Sequence, residues 1–302
     1  MHALDRYVSN PVQSWVDAAI PGTEAVHGAI HPSPTERRGM EDLGTVMTRS
    51  ALAISAAMLL LWLASLRLRN ASIVDPFWGA GYVGVAWLAA LGTAGAEPRR
   101  SVALALVTFW GLRLSLHLLR RNAGHGEDPR YAAMRRGHGA RFWWVSLFTV
   151  FLFQGALMWV VSLPVQAALV APGPAGLGPL DILGMGIFAI GFLFEAVGDW
   201  QLARFKADPA NRGAVMDRGL WRYTRHPNYF GDAAQWWGLG LLALSTGAWW
   251  ALVSPVVMNV LLVKVSGVAL LEKDIGERRP GYRAYVERTN AFLPWFPRGA
   301  KP

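Results

Sequence analysis

The sequence predicts an all-α integral membrane protein with seven transmembrane helices, its N-terminus outside and its C-terminus in the cytoplasm. Of its 302 residues, 53% are hydrophobic and only 16% are charged, whereas ordinary soluble domains carry about 25% charged residues. Seven stretches come close to the roughly 20 apolar residues that a helix needs to cross the hydrocarbon core. Lys and Arg are concentrated in alternate connections between these stretches, as in multi-pass proteins.

The composition also excludes several classes of protein. Fifteen Trp, 32 Gly and 18 Pro argue against a coiled coil, a disordered chain or a nucleic-acid-binding protein, despite the net charge of +9. Because the chain has no Cys, it has no disulfide framework, cysteine-ligated zinc, iron–sulfur cluster or thiol nucleophile. No metal site is expected, since His125, His138 and His226 lack metal-ligand spacing.

The predicted spans divide the chain into three parts. An N-terminal extension, 1–47, shows no signal peptide and is expected to lie on the surface or to be partly ordered. The membrane domain is 48–271, and a cytoplasmic segment, 272–302, follows it. The seven spans are predicted at 48–66, 73–94, 101–120, 142–171, 179–200, 233–248 and 249–270. The short connection between the last two predicts a helical hairpin.

The distribution of basic residues predicts the orientation. The connections after spans 1, 3, 5 and 7, counted with Arg120, hold 21 Lys and Arg residues, and the opposite side holds six. Because positive residues favour the cytoplasmic side, the C-terminus is predicted to be cytoplasmic.

Ionisable residues inside the predicted spans are candidate functional residues, because such groups are costly unless they face the bundle interior or a wet cavity. They are Asp75, Arg113, His117, Glu195, Asp199 and Lys264. All fall in the cytoplasmic halves of their spans, which predicts one polar chamber that opens toward the basic loops. The alternative is structural: Asp75 before Pro76 caps a helix, and Arg113 and Lys264 only neutralise buried acids.

The segment 199–232, DWQLARFKADPANRGAVMDRGLWRYTRHPNYFGD, carries six basic residues and a Tyr-Thr-Arg-His-Pro-Asn-Tyr run. Arginine binds phosphates and stacks on flat rings, so this mixture suits a multiply charged, aromatic-containing ligand. A positive-inside bias with headgroup contact explains the charge but not the HPNYFGD. The basic, tyrosine-containing segments 120–144 and 271–297 favour the same interpretation, a nucleotide enclosed by three loops.

These residues carry a resemblance. GLWRYTRHPNYFGD at 219–232 and LEKDIGERRPGYRAYVERTNAFLPWFP at 271–297 resemble the C-terminal half of the steroid 5-alpha-reductase family. SIVDPFWG at 72–79 and WGLRLSLHLLRRN at 110–122 resemble its bacterial branch, and the related sterol C14- and C7-reductases share R-H-P-N-Y-x-G-D. The resemblance implies a seven-helix protein of the bacterial inner membrane that binds NADPH on its cytoplasmic side. Its implied activity is reduction of the delta-4 double bond of a 3-oxo steroid or related enone lipid.

The resemblance also implies site residues. As NADPH contacts it gives Asp199, Asn228, Tyr229 and Asp232, with Arg113, Arg204, Lys206, Arg218, His226, Glu272, Asp274 and Arg279 as polar neighbours of the cofactor. The cofactor is expected to be NADPH rather than NADH, because the loops have basic residues to spare for the additional phosphate. The expected partners are the small-molecule substrate and membrane lipid, with no nucleic acid and no obligate protein partner.

The proton donor is left open among several residues. Mammalian members of the family place a Glu and a Tyr near the substrate ketone, where the matching regions here offer Asp75 and Trp110. The donor is therefore sought among Asp75, Tyr82 and Tyr131, with Glu195 as the next candidate. Trp78, Tyr82 and Trp110 are expected to contact the substrate.

Two other functions fit the same patterns less well. Membrane methyltransferases that use S-adenosylmethionine also carry an R-H-P-x-Y segment, but Asn228 and the following YFGD favour a reductase. A seven-helix transporter or receptor would use the buried ions for coupling, but matching broken helices in the two halves are missing.

Overall fold

The computed structural model describes residues 42–91, 98–174, 176–265, 272, 279 and 281–299. The chain divides into two units, Met1–Glu41 and Asp42–Pro302, and the first lies outside the described residues. What was predicted for the extension 1–47 therefore falls mostly outside this description. The described residues are helical or irregular and include no β-strand.

The helices are α1 (Leu43–Leu68), α2 (Val74–Leu91), α3 (Pro98–Asn122), α4 (Pro129–His138), α5 (Phe142–Ser146), α6 (Phe153–Val161), α7 (Leu163–Val170), α8 (Pro179–Ala207), α9 (Pro227–Leu244), α10 (Val253–Val260) and α11 (Tyr282–Arg288). Single 3₁₀ turns lie at Ala71–Ile73, Gly139–Arg141, Pro209–Asn211, Gly219–Arg222 and Trp249–Leu252. π-Helical turns at Leu147–Leu152 and Leu261–Val265 continue α5 and α10.

Within the described residues, four helical stretches are long and apolar enough to cross a membrane. They are Leu43–Leu68, Pro98–Asn122, Pro129–Val161 and Pro179–Ala207. The other predicted spans are also helical but shorter, with 18 residues each in α2 and α9 and an apolar helix at Trp249–Lys264. The chain is thus an all-α protein with membrane-spanning character, and the number seven and the orientation stay predictions.

Large apolar side chains cover the outer faces of these long helices. Leu52 and Leu60 of α1 are 68% and 67% exposed, and Phe109 of α3 is 65% exposed. Ile182 and Leu193 of α8 are similarly exposed. Apolar surface of this extent is costly in water and favourable against lipid chains, so it agrees with a membrane protein.

The helix predicted at 142–171 differs in the structure at both ends. It starts at Pro129, where the Asp128 side chain accepts a hydrogen bond from the Arg130 backbone N–H, and it runs to Val161. A break at Ser162 separates it from α7, because Pro164 has no N–H to continue the hydrogen-bond ladder. The segment around Tyr131, predicted as a loop, is therefore helical.

Glycines form the contact between α8 and α9. Gly184 on α8 lies against Gly238 on α9, and Gly191 lies against Gly231. The two glycines on each helix are seven residues apart. A Cβ atom on Gly191 would lie 2.5 Å from the Gly231 carbonyl oxygen, and one on Gly184 would lie 2.7 Å from the Gly238 carbonyl oxygen. Small residues allow such close backbone approach in membrane helices. This contact brings the polar residues of α8 beside those of α9.

Gly231→Ala is expected to destabilise the protein by about 1–3 kcal/mol, the usual cost of overpacking. A Cβ atom there would overlap the Glu195 backbone N–H and the Gly191 carbonyl. Gly186→Ala is the matched control, because nothing lies within 4 Å of its Cβ position. The midpoint of thermal unfolding in detergent measures both changes. Equal midpoints for the two variants would contradict the tight contact.

The contact between α2 and α3 positions Asp75. Gly79 and Gly111 face each other there, and the Ser115 hydroxyl donates to the Pro76 carbonyl at 2.7 Å. The same hydroxyl accepts from the Ala80 N–H at 2.8 Å. The first turn of α2 is thus fixed against α3 with Asp75 one residue before Pro76.

The C-terminal residues pack on the connection between α8 and α9. The backbone N–H of Arg225 donates to Asn290, and that of Trp295 donates to Tyr223, each at 2.9 Å. The Thr224 hydroxyl donates to the Phe292 carbonyl at 2.9 Å. These hydrogen bonds hold residues 223–226 in place at the start of α9.

Candidate functional site

A cavity of about 420 Å³ lies between the helices. Its lining combines side chains of α2, α3, α4, α6, α8, α9 and the π-helical turn after α10. Eleven residues predicted for the site line it: Asp75, Trp78, Tyr82, Trp110, His117, Tyr131, Glu195, Asp199, Asn228, Tyr229 and Asp232. Its volume lies in the range of small-molecule sites. The structure therefore brings these predicted residues together around one cavity.

One group of polar side chains in the cavity, the Asp75 cluster, contains Asp75, Trp78, Tyr131 and Gln154. The Tyr131 hydroxyl donates to Asp75 Oδ1 at 2.8 Å. Gln154 Nε2 donates to the Tyr131 oxygen at 3.1 Å, and Trp78 Nε1 donates to Gln154 Oε1 at 2.6 Å. This chain of hydrogen bonds fixes the direction of the Tyr131 hydroxyl toward Asp75.

Two arginines face the other oxygen of Asp75. Arg130 Nη2 lies 3.4 Å from Asp75 Oδ2, and Arg121 Nη2 lies 3.9 Å from it. Asp75 therefore contacts side chains through both carboxylate oxygens. Asp75 lies within the first turn of α2 rather than at its N-cap position, and Asn70 caps the preceding Ala71–Ile73 turn by accepting from the Ser72 N–H at 2.8 Å.

A second group, the Asp199 cluster, contains Arg113, His117, Glu195, Asp199 and Asn228. Arg113 bridges the two acids, with Nη1 2.8 Å from Glu195 Oε1 and Nη2 2.6 Å from Asp199 Oδ2. Asn228 Nδ2 donates to Asp199 Oδ1 at 3.1 Å, and His117 Nε2 lies 3.6 Å from Asp199 Oδ2. One arginine thus compensates two buried carboxylates, which is the neutralising role weighed for Arg113.

Aromatic rings separate the polar groups from the apolar wall of the cavity. The ring of Tyr82 lies 4.7 Å from Trp236 and 5.7 Å from Trp110, centre to centre. Trp236 Nε1 donates to Asp232 Oδ1 at 3.1 Å, and Trp110 Nε1 donates to Glu195 at 2.8 Å. The Tyr82 hydroxyl is fully buried and has no hydrogen-bond partner among the described residues. Its O–H group is therefore available as a donor in the cavity wall.

A family model described as "Protein of unknown function (DUF1295)" matches residues 61–289, well over half of the chain. The chain belongs to this DUF1295 family. An uncharacterized protein of Schizosaccharomyces pombe, C594.04c, is 25% identical over 264 residues, which are 78% of this chain and 75% of that protein. No solved structure matches. The matched range, 61–289, includes the whole lining of the cavity.

Several residues predicted near the cofactor lie outside the cavity lining of this DUF1295 protein. Arg204 lies over the Trp200 ring at 5.7 Å, and Lys206 lies in the last turn of α8. Arg218 lines a different pocket, and Arg279 donates to the Ala214 carbonyl at 2.6 Å. Asp274 lies outside the described residues. Their predicted role at the cofactor stays a prediction.

Lys264, which was predicted to face the chamber, is exposed and does not line the cavity. It follows α10 in the π-helical turn Leu261–Val265, which changes the direction of side chains relative to an α-helix. The prediction from its position in the span was wrong for this reason.

His226 and Glu272 form an ion-pair group with Arg225. Both Arg225 Nε and Nη2 donate to Glu272 at 2.8 Å, and His226 Nε2 lies 2.9 Å from Glu272 Oε1. Partial burial alone would raise the pKa of Glu272, but the hydrogen bonds from His226 and Arg225 lower that pKa to about 2. These contacts tie Glu272 to the first turn of α9.

Stability is expected to depend on this carboxylate at acidic pH. Since the pKa of Glu272 is lower in the folded protein than its ordinary 4.5, its ionised form stabilises the fold above about pH 4.5. That stabilisation is lost as the pH falls toward about 2. Glu272→Gln is therefore expected to lower the unfolding midpoint at pH 7 and to approach the wild type as the pH is lowered. A difference that is constant from pH 7 to pH 3 would contradict this expectation.

Sequence reasoning missed several contributors to the cavity, and three of them contact other residues of the Asp75 cluster. Gln154 is one polar residue within an apolar run, and Arg121 and Arg130 were counted only as loop charges. A signal was present for Gln154, since a polar residue inside a span must find a partner. Arg130 became part of the site because α4 starts at Pro129 and turns this segment toward Asp75, and Arg121 lies in the last turn of α3.

Proposed function

We propose that this chain is a membrane reductase that uses NADPH to reduce the carbon–carbon double bond of an enone, with 3-oxo-delta-4 steroids as the substrate class. In this proposal it lies in the bacterial inner membrane and its cavity opens to the cytoplasm. The observation that carries the proposal is the hydrogen-bonded pair of Asp75 and Tyr131 in the same cavity as Asp199 and Asn228. The sequence resemblance to steroid 5-alpha-reductases supports it.

The cavity offers basic and amide side chains to a dinucleotide, beside the four carboxyl groups of Asp75, Glu195, Asp199 and Asp232. Arg121, Arg130 and His117 offer positive or ionisable groups for phosphates, and Asn228 offers an amide for the nicotinamide end. The unpartnered Tyr82 hydroxyl offers one further donor to a ligand. When bound, NADPH supplies the hydride that goes to the β carbon of the enone. About 420 Å³ accommodates the reacting ends of the two ligands rather than their full lengths.

The Asp75 cluster would supply the proton that the reduction requires. Hydride addition to the β carbon moves an electron pair toward the ketone oxygen, which then accepts a proton from the Asp75–Tyr131 pair. Arg130 and Arg121 lie 3.4 and 3.9 Å from Asp75 Oδ2 and stabilise the negative charge left on the pair. The enol formed in this way tautomerises to the saturated ketone, and a proton from water restores the pair, so that one hydride and one proton are added in total.

The direct test is an assay of the purified protein in detergent with NADPH and progesterone or testosterone. Loss of the near-ultraviolet absorbance of NADPH and a product heavier by two hydrogens are expected. The corresponding saturated ketone is the control substrate and should not be reduced. Retention of S-adenosylmethionine by the protein, without NADPH consumption, would support the methyltransferase alternative and contradict the reductase.

Asn228→Ala is expected to weaken NADPH binding about tenfold or more, the scale of one hydrogen bond to a charged ligand. The substitution also removes a hydrogen bond to Asp199. Asn211→Ala is the control, because Asn211 lies in the Pro209–Asn211 turn outside the cavity. Titration of NADPH by fluorescence measures both. If Asn228→Ala bound NADPH with unchanged affinity, Asn228 would not contact the cofactor.

A further inference from the structure

A second pocket, of about 470 Å³, lies between the connection from α8 to α9 and the C-terminal residues. Four arginines line it, together with one acid: Arg218, Arg222, Arg288, Arg298 and Asp217. Asp217 is paired with Arg288. The pocket therefore carries an excess of positive charge, and it shares no lining residue with the central cavity.

Hydrogen bonds from both sides hold the walls of this pocket. The Tyr285 hydroxyl donates to the Trp221 carbonyl, and the Arg298 N–H donates to the Arg288 carbonyl at 2.9 Å. The Leu220 N–H donates to Gln201 Oε1 at 3.0 Å, which ties the Gly219–Arg222 turn to α8. The arginines thus stand on a fixed backbone, so a ligand does not have to order the loop when it binds.

The position of the pocket along α8 corresponds to a membrane surface. Helix α8 starts at Pro179, and about 20 residues at 1.5 Å each give the roughly 30 Å of the hydrocarbon core. That length ends near Gly198, whose carbonyl accepts from Trp221 Nε1 at 3.1 Å. The Gly219–Arg222 turn, which forms one wall of the pocket, therefore lies at the level where the hydrocarbon ends.

Exposed aromatic side chains lie beside the arginines. Trp295 and Phe296 are 69% and 76% exposed, and they directly precede Pro297 of the pocket wall. Phe296 lies 6.1 Å from the Tyr223 ring, one residue after Arg222. Aromatic rings of this kind are enriched at the level of lipid headgroups. Basic pockets on the cytoplasmic side are typical of sites for anionic headgroups.

From this combination we infer that the pocket binds the phosphate of an anionic phospholipid, with Trp295 and Phe296 in the headgroup region beside it. Arg218 and Arg222 donate to the phosphate oxygens, and Arg298 adds charge from the opposite wall. The shared ligand chemistry is a phosphate group, and the membrane is its source because the aromatic side chains would otherwise stay exposed to water. The site lies on the connection that leads into Asn228 and the Asp199 cluster.

The test uses the full chain in detergent micelles. Phosphatidylglycerol is expected to raise the unfolding midpoint, whereas phosphatidylcholine and inorganic phosphate at equal concentration are expected to leave it unchanged. The double variant R218Q/R222Q is expected to lose this rise and to retain about tenfold less phosphatidylglycerol in native mass spectrometry. R283Q is the matched control, because Arg283 is exposed on α11 but does not line the pocket.

Three results would overturn the inference. If inorganic phosphate raised the unfolding midpoint as much as phosphatidylglycerol does, the pocket would be a site for free anions. If phosphatidylcholine raised it as much, the negative charge of the lipid would not matter for binding. If R218Q/R222Q retained the rise in unfolding midpoint with phosphatidylglycerol, the pocket would not be the binding site of this lipid. Arg218 and Arg222 are exposed, and if the double variant does not fold, the single variant R218Q makes the same comparison. None of these results depends on the proposed reductase activity.

Discussion

Asp181→Ala is expected to lower the free energy of unfolding by about 3–5 kcal/mol, the cost of removing one partner of a buried ion pair. Arg99 and Asp181 are 3% and 0% exposed, and Arg99 Nε donates to Asp181 Oδ1 at 2.7 Å. Asp181 also accepts from the Gly178 N–H at 2.8 Å and from the Ser245 hydroxyl at 2.7 Å. Without this carboxylate, the Arg99 guanidinium is left buried beside unpaired polar groups.

The double variant R99M/D181L removes both partners of the ion pair. It therefore distinguishes the cost of leaving Arg99 without Asp181 from the net contribution of the ion pair to the free energy of unfolding. Apolar side chains of similar volume often replace a buried ion pair at little cost. The double variant is therefore expected to be more stable than Asp181→Ala, although R99M also removes hydrogen bonds from Arg99 to the Pro174 and Gly176 carbonyls. The midpoint of thermal unfolding in detergent should fall by about 6 °C or more in Asp181→Ala. If the unfolding midpoint of Asp181→Ala equals that of the wild type, the ion pair is not buried in the membrane-embedded protein.

Local patterns in the sequence were enough to predict the helical membrane class and four ionisable residues of the cavity lining: Asp75, His117, Glu195 and Asp199. Hydropathy acts over one helix at a time, so the apolar stretches are visible without knowledge of their neighbours. Glu195 and Asp199 share a helix face because they are four residues apart, and the structure has both on the cavity wall. Because ionisable groups are costly in lipid, their presence inside a predicted span indicates a functional role for both residues. For these residues, local spacing and local polarity contained the necessary information.

The rest depended on contacts between distant parts of the chain. Arg99 was counted as an external loop charge, and its pairing with Asp181 arises from the packing of α3 against the start of α8. The seven-residue spacing of Gly184 and Gly191 is visible in the sequence, but their partners on α9 are not. Tyr131 was named as a candidate without a partner. Its contact with Asp75 requires the helical start at Pro129, which the polar composition of that segment concealed.

Asp75→Asn is expected to lower turnover in the enone reduction about 100-fold or more, the usual scale of general-acid catalysis, while NADPH stays bound. Asn keeps the size of the side chain and still accepts from Tyr131, but it carries no acidic proton and no charge for Arg130. Tyr131→Phe removes the other half of the pair and should have a similar effect. Because the two residues act as a unit, the double variant should be little worse than either single variant.

Asp208→Asn is the control for this prediction, since Asp208 caps the Pro209–Asn211 turn outside the cavity. Single-turnover measurements with bound NADPH separate the chemical step from cofactor binding. Equal losses in the chemical step for Asp75→Asn and Tyr131→Phe, with unchanged NADPH affinity, are the expected result. Near-wild-type turnover of Asp75→Asn would eliminate its catalytic role and transfer the proton donation to Glu195 with Tyr131. Glu195 already accepts from Trp110 at 2.8 Å and from Gln235 at 2.6 Å and pairs with Arg113, so three neighbouring side chains already contact its carboxyl group.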